Sequence, residues 1–103
     1  MFNVDGFLQA LFSGEPIRGE EIGFDKFSSH GFKIAIDTCF TNDTQKYETA
    51  IKINDDDMVV VEEYDSATEA REGHSKWIEI CGRSEFYFSS IQDGTMHIYK
   101  GES

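Results

Sequence analysis

Residues 58–82, MVVVEEYDSATEAREGHSKWIEICG, admit few folds, because a strand signal runs directly into an amphipathic helix. Met58 to Val61 is a short apolar, β-branched run, the composition of a buried strand. Tyr64-Asp65-Ser66 breaks it, and Ser66 with Glu69 three residues on is a capping-box signature in which each side chain satisfies a free backbone N–H. Ala67, Ala70, His74, Trp77, Ile78 and Cys81 then recur at the spacing that shares one helical face. Glu69, Glu72, Ser75, Lys76 and Glu79 fall mostly on the other, with Glu72 and Lys76 in the favourable i,i+4 order. Gly82 stands where a left-handed residue would end the helix.

Gly73 interrupts this helix at a cost of about 1 kcal/mol relative to alanine. Its presence is expected to mark a close approach of the helix backbone to the sheet, near Tyr47 or Tyr64, or else an exposed position where the cost is tolerated. Trp77 is expected to be largely buried against the strands of residues 32–61, and His74 to be a core histidine bonded to a backbone carbonyl.

On either side of this segment the period is two. Phe32, Ile34, Ile36 and Phe40 alternate against Lys33, Ala35, Asp37 and Cys39, predicting a strand with one buried face. Thr41 to Thr44 is turn chemistry, and Tyr47, Thr49, Ile51 and Ile53 alternate in a second strand. Asn54-Asp55-Asp56-Asp57 turns the chain into the strand at Met58. In EFYFSSIQDGTMHIYK, Asp93-Gly94 signals a two-residue hairpin, with Ile91 opposite Met96 and Ser89 opposite Ile98. Tyr87, Ile91, Met96 and Ile98 then share one face, and Phe86, Phe88, His97 and Tyr99 the other, so both faces carry apolar residues. The second is expected to be covered by the N-terminal helix, or else to be an exposed aromatic patch for a partner. Residues 3–12 read as a short helix capped by Asp5, and residues 15–31 as a packed loop or a single helical turn. The expected fold is α+β, one domain over residues 1–103. It has an antiparallel sheet of about five strands, a meander plus the C-terminal hairpin, with a central helix and a short N-terminal helix.

Charge narrows the function classes. Twenty acids against nine bases give −11, and residues 54–72 hold eight acids against Arg71 alone. Phosphate contacts need Lys and Arg, so direct nucleic-acid binding and anionic membrane surfaces are both disfavoured. A basic protein partner would be steered in from a distance; the alternative is a solvated face with no partner. The candidate contact residues are Asp55, Asp56, Asp57, Glu62, Glu63, Asp65, Glu69 and Glu72, with Phe86, Phe88 and Tyr99 as a second candidate patch. Cys39 and Cys81 read as small buried hydrophobes of a reducing compartment. With no secretory leader pattern and no apolar run near membrane-spanning length, a cytoplasmic protein is expected.

Chemistry-bearing spacings are few. His30, His74, His97, Cys39 and Cys81 are not paired at zinc-ligand spacing, and residues 54–57 lack the glycine and closing glutamate of a calcium loop. Ser28-Ser29-His30 places hydroxyls beside an imidazole in sequence alone. No cofactor, metal or catalytic residue is therefore expected.

Tyr47-Glu48-Thr49, then Tyr64, Ser66, Glu69-Ala70, Gly73-His74 and Trp77, resembles a pattern of small uncharacterised bacteriophage proteins. There a Y/F-E-T strand is followed by a Y-x-T/S-x-x-E-A-x-x-G-H helix. The resemblance covers about residues 47–78; Ala50 stands where those proteins often carry methionine, and the 85–100 hairpin is additional. It implies a phage or prophage setting in host cytoplasm and carries no residue roles. The expected function is a non-enzymatic binding inhibitor, monomeric or homodimeric, directed at a host defence or nucleic-acid enzyme. An anti-CRISPR protein that mimics nucleic acid is its sharpest form. The competing expectations are a self-associating virion or assembly accessory protein and a small metal-dependent hydrolase.

Overall fold

The computed structural model describes residues 18–102. Four antiparallel strands form a meander in the order β1-β2-β3-β4: β1 (Arg18–Ser29), β2 (Phe32–Thr41), β3 (Lys46–Ile53) and β4 (Val59–Tyr64). Helix α1 (Ala67–Cys81) follows, then a separate two-stranded sheet of β5 (Glu85–Ser89) and β6 (Met96–Lys100). The architecture is α+β as expected, but the hairpin does not extend the main sheet. The helix expected over residues 3–12 lies outside the described residues.

The segment expected to be a loop is strand β1. Its register places Gly23 opposite Thr38, Asp25 opposite Ile36 and Phe27 opposite Ile34, on the side that α1 covers. That face carries a glycine, a carboxylate and one aromatic, and bulges between Arg18 and Gly23 shift the phase, so no hydrophobic alternation is visible. His30 and Gly31, with φ of 50° and 89°, make the tight turn into β2. Gly101 and Glu102 then close over this turn, the Glu102 N–H donating to the His30 carbonyl at 2.9 Å.

Strand β2 is central, and both of its faces are buried from Ile34 to Cys39, where the alternation predicted one. In β4 a bulge between Val60 and Glu62 leaves Val61 without a facing partner. The extra residue lets Val61 pack in the core while Glu62 and Tyr64 both turn toward α1.

Ser66 caps α1, its hydroxyl accepting from the Glu69 N–H at 3.1 Å. The reciprocal arm reaches one residue further back, Glu69 accepting from the Asp65 N–H at 3.2 Å. Gly82 ends the helix in right-handed conformation (φ −82°), because its N–H still bonds to the Ile78 and Glu79 carbonyls. The left-handed cap expected there is not used.

The core lies between the meander and a second layer made of α1 and the hairpin. Ile34, Ile36, Ile51, Ile53, Val59 and Val61 meet Cys81, Phe86 and Phe88. Phe86 stacks on Tyr99 at 5.3 Å between ring centroids and meets Phe32 edge-on at 5.9 Å. Trp77 is only partly buried: its ring packs edge-on against Phe88 and its N–H points to Glu62. The hairpin pairs Ser89 with Met96 and Tyr87 with Ile98, two residues from the expected register, with residues 90–95 as the connection. A shift of two keeps every side chain on its expected face. It also frees the Ile91 N–H to donate to the Val60 carbonyl at 3.0 Å, joining the hairpin to β4. No helix among the described residues is long and apolar enough to cross a membrane.

Candidate functional site: an acidic groove over a buried polar row

Where β4 runs into α1, the two elements bound a groove lined by Glu62, Glu63, Asp65, Glu69 and Glu72, with Lys76 the cation in its lining. The strand brings the first two, the capping turn Asp65, and the outer face of the helix the last two. Asp55, Asp56 and Asp57 are exposed on the β3–β4 turn and do not line this groove. The acidic run of the sequence thus divides into a groove and a turn. Asp56 belongs with the hairpin, accepting from the Tyr99 hydroxyl at 3.2 Å.

The groove carboxylates are not equivalent. Lys46 reaches Asp65 at 2.7 Å, and that hydrogen bond, with the attraction behind it, lowers the carboxyl below its ordinary value. Burial pushes Glu62 upward. Hydrogen bonds from Lys76 (2.6 Å), Trp77 (2.8 Å) and Tyr64 (3.0 Å) outweigh it and hold the group below its ordinary value. Glu62 is therefore anchored, while Glu63, Asp65, Glu69 and Glu72 are exposed to solvent. Glu63 also faces Glu48 across the β3–β4 ladder. Burial, with this like charge and that of Asp43 adding to it, raises Glu48, against a hydrogen bond from Thr44.

Beneath the groove a row of polar side chains crosses the sheet. Asp25 Oδ2 lies 2.7 Å from His74 Nε2, and His74 Nδ1 2.7 Å from Thr38 Oγ1. Thr38 meets Thr49 at 2.6 Å, Thr49 meets the Tyr64 hydroxyl at 3.0 Å, and Tyr64 donates to Glu62. Two glycines make room for it. A Cβ at Gly23 would lie 2.9 Å from the His74 ring, and one at Gly73 would overlap the Tyr64 phenol. The predicted close approach at Gly73 is thus met by Tyr64. Thr49, Tyr64, Gly73, His74 and Trp77, five of the ten residues of the pattern quoted from the sequence, build this row, make room for it or touch its end.

Asp25, His74 and Thr38 follow an acid–imidazole–hydroxyl order, but Thr38 is 0% exposed and its hydroxyl has no path to a substrate. His74 is buried as expected; its partners are the Thr38 hydroxyl and the Asp25 carboxylate rather than a backbone carbonyl. His30 sits against the Glu102 carbonyl at 2.6 Å, and His97 stacks on Phe88. Cys39 and Cys81 are both buried and not joined in a disulfide. Among the described residues no three His, Cys, Asp or Glu side chains converge as a metal site.

The second candidate patch is displaced. Phe86 and Phe88 are buried at 4% and 3% exposure, and Tyr99 stacks on them, because this face of the hairpin closes the core. Tyr87, Ile91, Met96 and Ile98 instead face outward, at 65%, 46%, 54% and 71% exposure. The sequence grouped these four on one face without indicating which face the core would take. Asp25 and Thr38 were missed altogether; Asp25 lay in an aperiodic stretch and Thr38 inside an apolar alternation. No protein family, curated protein or solved structure matches the chain.

Proposed function

We propose that this protein is a non-enzymatic binding inhibitor of phage type, acting in host cytoplasm on a defence or nucleic-acid enzyme. Its exposed carboxylates occupy a cationic groove that otherwise receives nucleic acid; an anti-CRISPR protein is the sharpest form of this reading. The observation that carries it is the β4–α1 groove, where five carboxylates from strand, turn and helix line one surface with Lys76 as counter-charge. The resemblance of residues 47–78 supports the phage setting. Groove acids of this kind act collectively, since an exposed ion pair contributes about 0–1 kcal/mol alone while the summed field steers a cationic partner.

The test compares two variants for binding a partner captured from host lysate. One neutralises Glu63, Asp65, Glu69 and Glu72, sparing Glu62, which anchors Lys76 and Trp77. The other converts Asp55, Asp56 and Asp57 to asparagine. The groove variant is expected to lose binding, and wild-type affinity to fall with added salt and with competing nucleic acid. Full affinity of the groove variant at low and high salt would refute the reading.

A second reading is favoured by the outward apolar face of Tyr87, Ile91, Met96 and Ile98, which suits a self-associating assembly protein. A mass that rises with concentration, and is returned to monomer by Ile98→Lys, would support it; a monomer at all concentrations would exclude it.

A further inference from the structure

The row Asp25–His74–Thr38–Thr49–Tyr64–Glu62 has five links and a carboxylate at each end. Every link needs one proton, and the donors between the ends can be counted. Thr38, Thr49 and Tyr64 bring one each; a neutral imidazole brings one more and an imidazolium two. With neutral His74 there are four protons for five links, and one pair of acceptors must face each other. With a doubly protonated ring all five links are made.

The same count fixes the direction of the row. In the protonated state His74 donates from both nitrogens, to Asp25 and to Thr38. Thr38 then donates to Thr49, Thr49 to Tyr64, and Tyr64 to Glu62. In the neutral state, with the remaining proton on Nε2 facing Asp25, the two threonines reverse: Thr38 donates to Nδ1 and Thr49 to Thr38, while Tyr64 keeps donating to Glu62. Nothing is then left to donate from Thr49 to the Tyr64 oxygen. The break falls between Thr49 and Tyr64: the links around His74 are shorter, 2.6–2.7 Å against 3.0 Å, and a phenol donates more strongly to a carboxylate than to a second hydroxyl.

We propose that one proton, taken up at His74, reverses the two threonines and closes the Thr49–Tyr64 hydrogen bond, making a pH-sensitive latch between the two edge strands β1 and β4. The elements packed around the ring present Asp25 from β1, Thr38 from β2, Thr49 from β3, and Tyr64 and Glu62 from β4, while α1 adds Lys76 and Trp77 at the Glu62 end. From the hairpin, His97 reaches Trp77 through Phe88 and is the second titratable group to control for.

Trp77 is the single tryptophan, and its Nε1–H donates to the same Glu62 oxygen as Tyr64. Its indole N–H resonance therefore reports the latch in a pH titration followed by NMR, alongside the ring signals of His74. In wild type the indole signal is expected to shift with the same midpoint as His74. That shift should persist in His97→Gln and be lost in Tyr64→Phe, where His74 still titrates but no hydroxyl reaches Glu62. Should Tyr64→Phe fail to fold, Thr49→Val interrupts the row one link earlier and is read in the same way. An indole signal that stays flat while His74 titrates would overturn the proposal. So would a shift that survives Tyr64→Phe or Thr49→Val, or one abolished by His97→Gln.

Discussion

Gly73→Ala sets two effects of opposite sign against each other. Helix propensity alone favours the variant by about 1 kcal/mol. Against this, a Cβ at residue 73 would occupy the space of the Tyr64 hydroxyl and the ring atoms next to it. Tyr64 is 8% exposed, so its ring has no solvent to retreat into. Overpacking of this kind costs about 1–3 kcal/mol. Displacing the phenol also strains its hydrogen bonds to Thr49 and Glu62, each contributing about 0.5–1.5 kcal/mol. The steric side wins, for a net loss of about 1–5 kcal/mol. Urea unfolding followed by Trp77 fluorescence measures it. Tyr64→Ala removes the obstructing ring, so adding it to Gly73→Ala should cost less than the two single changes summed, with a coupling of at least about 1 kcal/mol. A Gly73→Ala variant as stable as wild type, or more so, would refute the close-approach account of this glycine.

Trp77→Ala is expected to destabilise by about 2–3 kcal/mol, below the value for a fully buried tryptophan, because the ring is partly exposed; an unchanged urea midpoint would contradict its packing on Phe88. Burial pushes the Cys81 thiol from 9.0 up to about 12, so the unfolded chain releases a proton that the folded chain holds, and stability should fall as pH rises from 9 toward 12. Cys81→Ala should show a shallower alkaline loss, and native protein should resist thiol reagents until unfolded. Glu48 is raised in the fold, so its ionised form disfavours folding at neutral pH and the penalty is relieved as pH falls through its titration. Glu48→Gln should therefore stabilise at pH 7 by a few tenths of a kcal/mol, with the gain over wild type vanishing in acid; a destabilised variant at pH 7 would contradict the repulsion between Glu48 and Glu63.

The elements legible in the sequence were those whose burial follows one period. The helix declared itself through Ser66, Glu69 and its three-and-four spacing, and strands β2 to β4 through alternation and β-branching. Strand β1 was hidden because its inward face bears Gly23 and Asp25, residues chosen by the His74 ring rather than by hydrophobicity. A histidine–glycine turn with both residues at positive φ carries a weaker signal than asparagine–glycine, so the β1–β2 hairpin was missed with it. Of the acidic candidates all but Glu62 are exposed, and strand and helix geometry alone decides which of them share a groove. The hairpin faces were sorted correctly because a register error of two leaves them unchanged, while the choice of inward face depended on Phe32 and Trp77, distant in sequence.

The central claim is that the groove carboxylates, acting together, form the contact surface. The most direct measurement captures proteins from host lysate with wild type, with the Glu63, Asp65, Glu69 and Glu72 neutralised variant, and with the Asp55, Asp56 and Asp57 variant, all confirmed folded. The account predicts a nucleic-acid-binding protein retained by wild type and by the turn variant, absent from the groove variant, and released by salt. Retention by the groove variant equal to wild type would contradict it and move the contact surface to the outward face of Tyr87, Ile91, Met96 and Ile98.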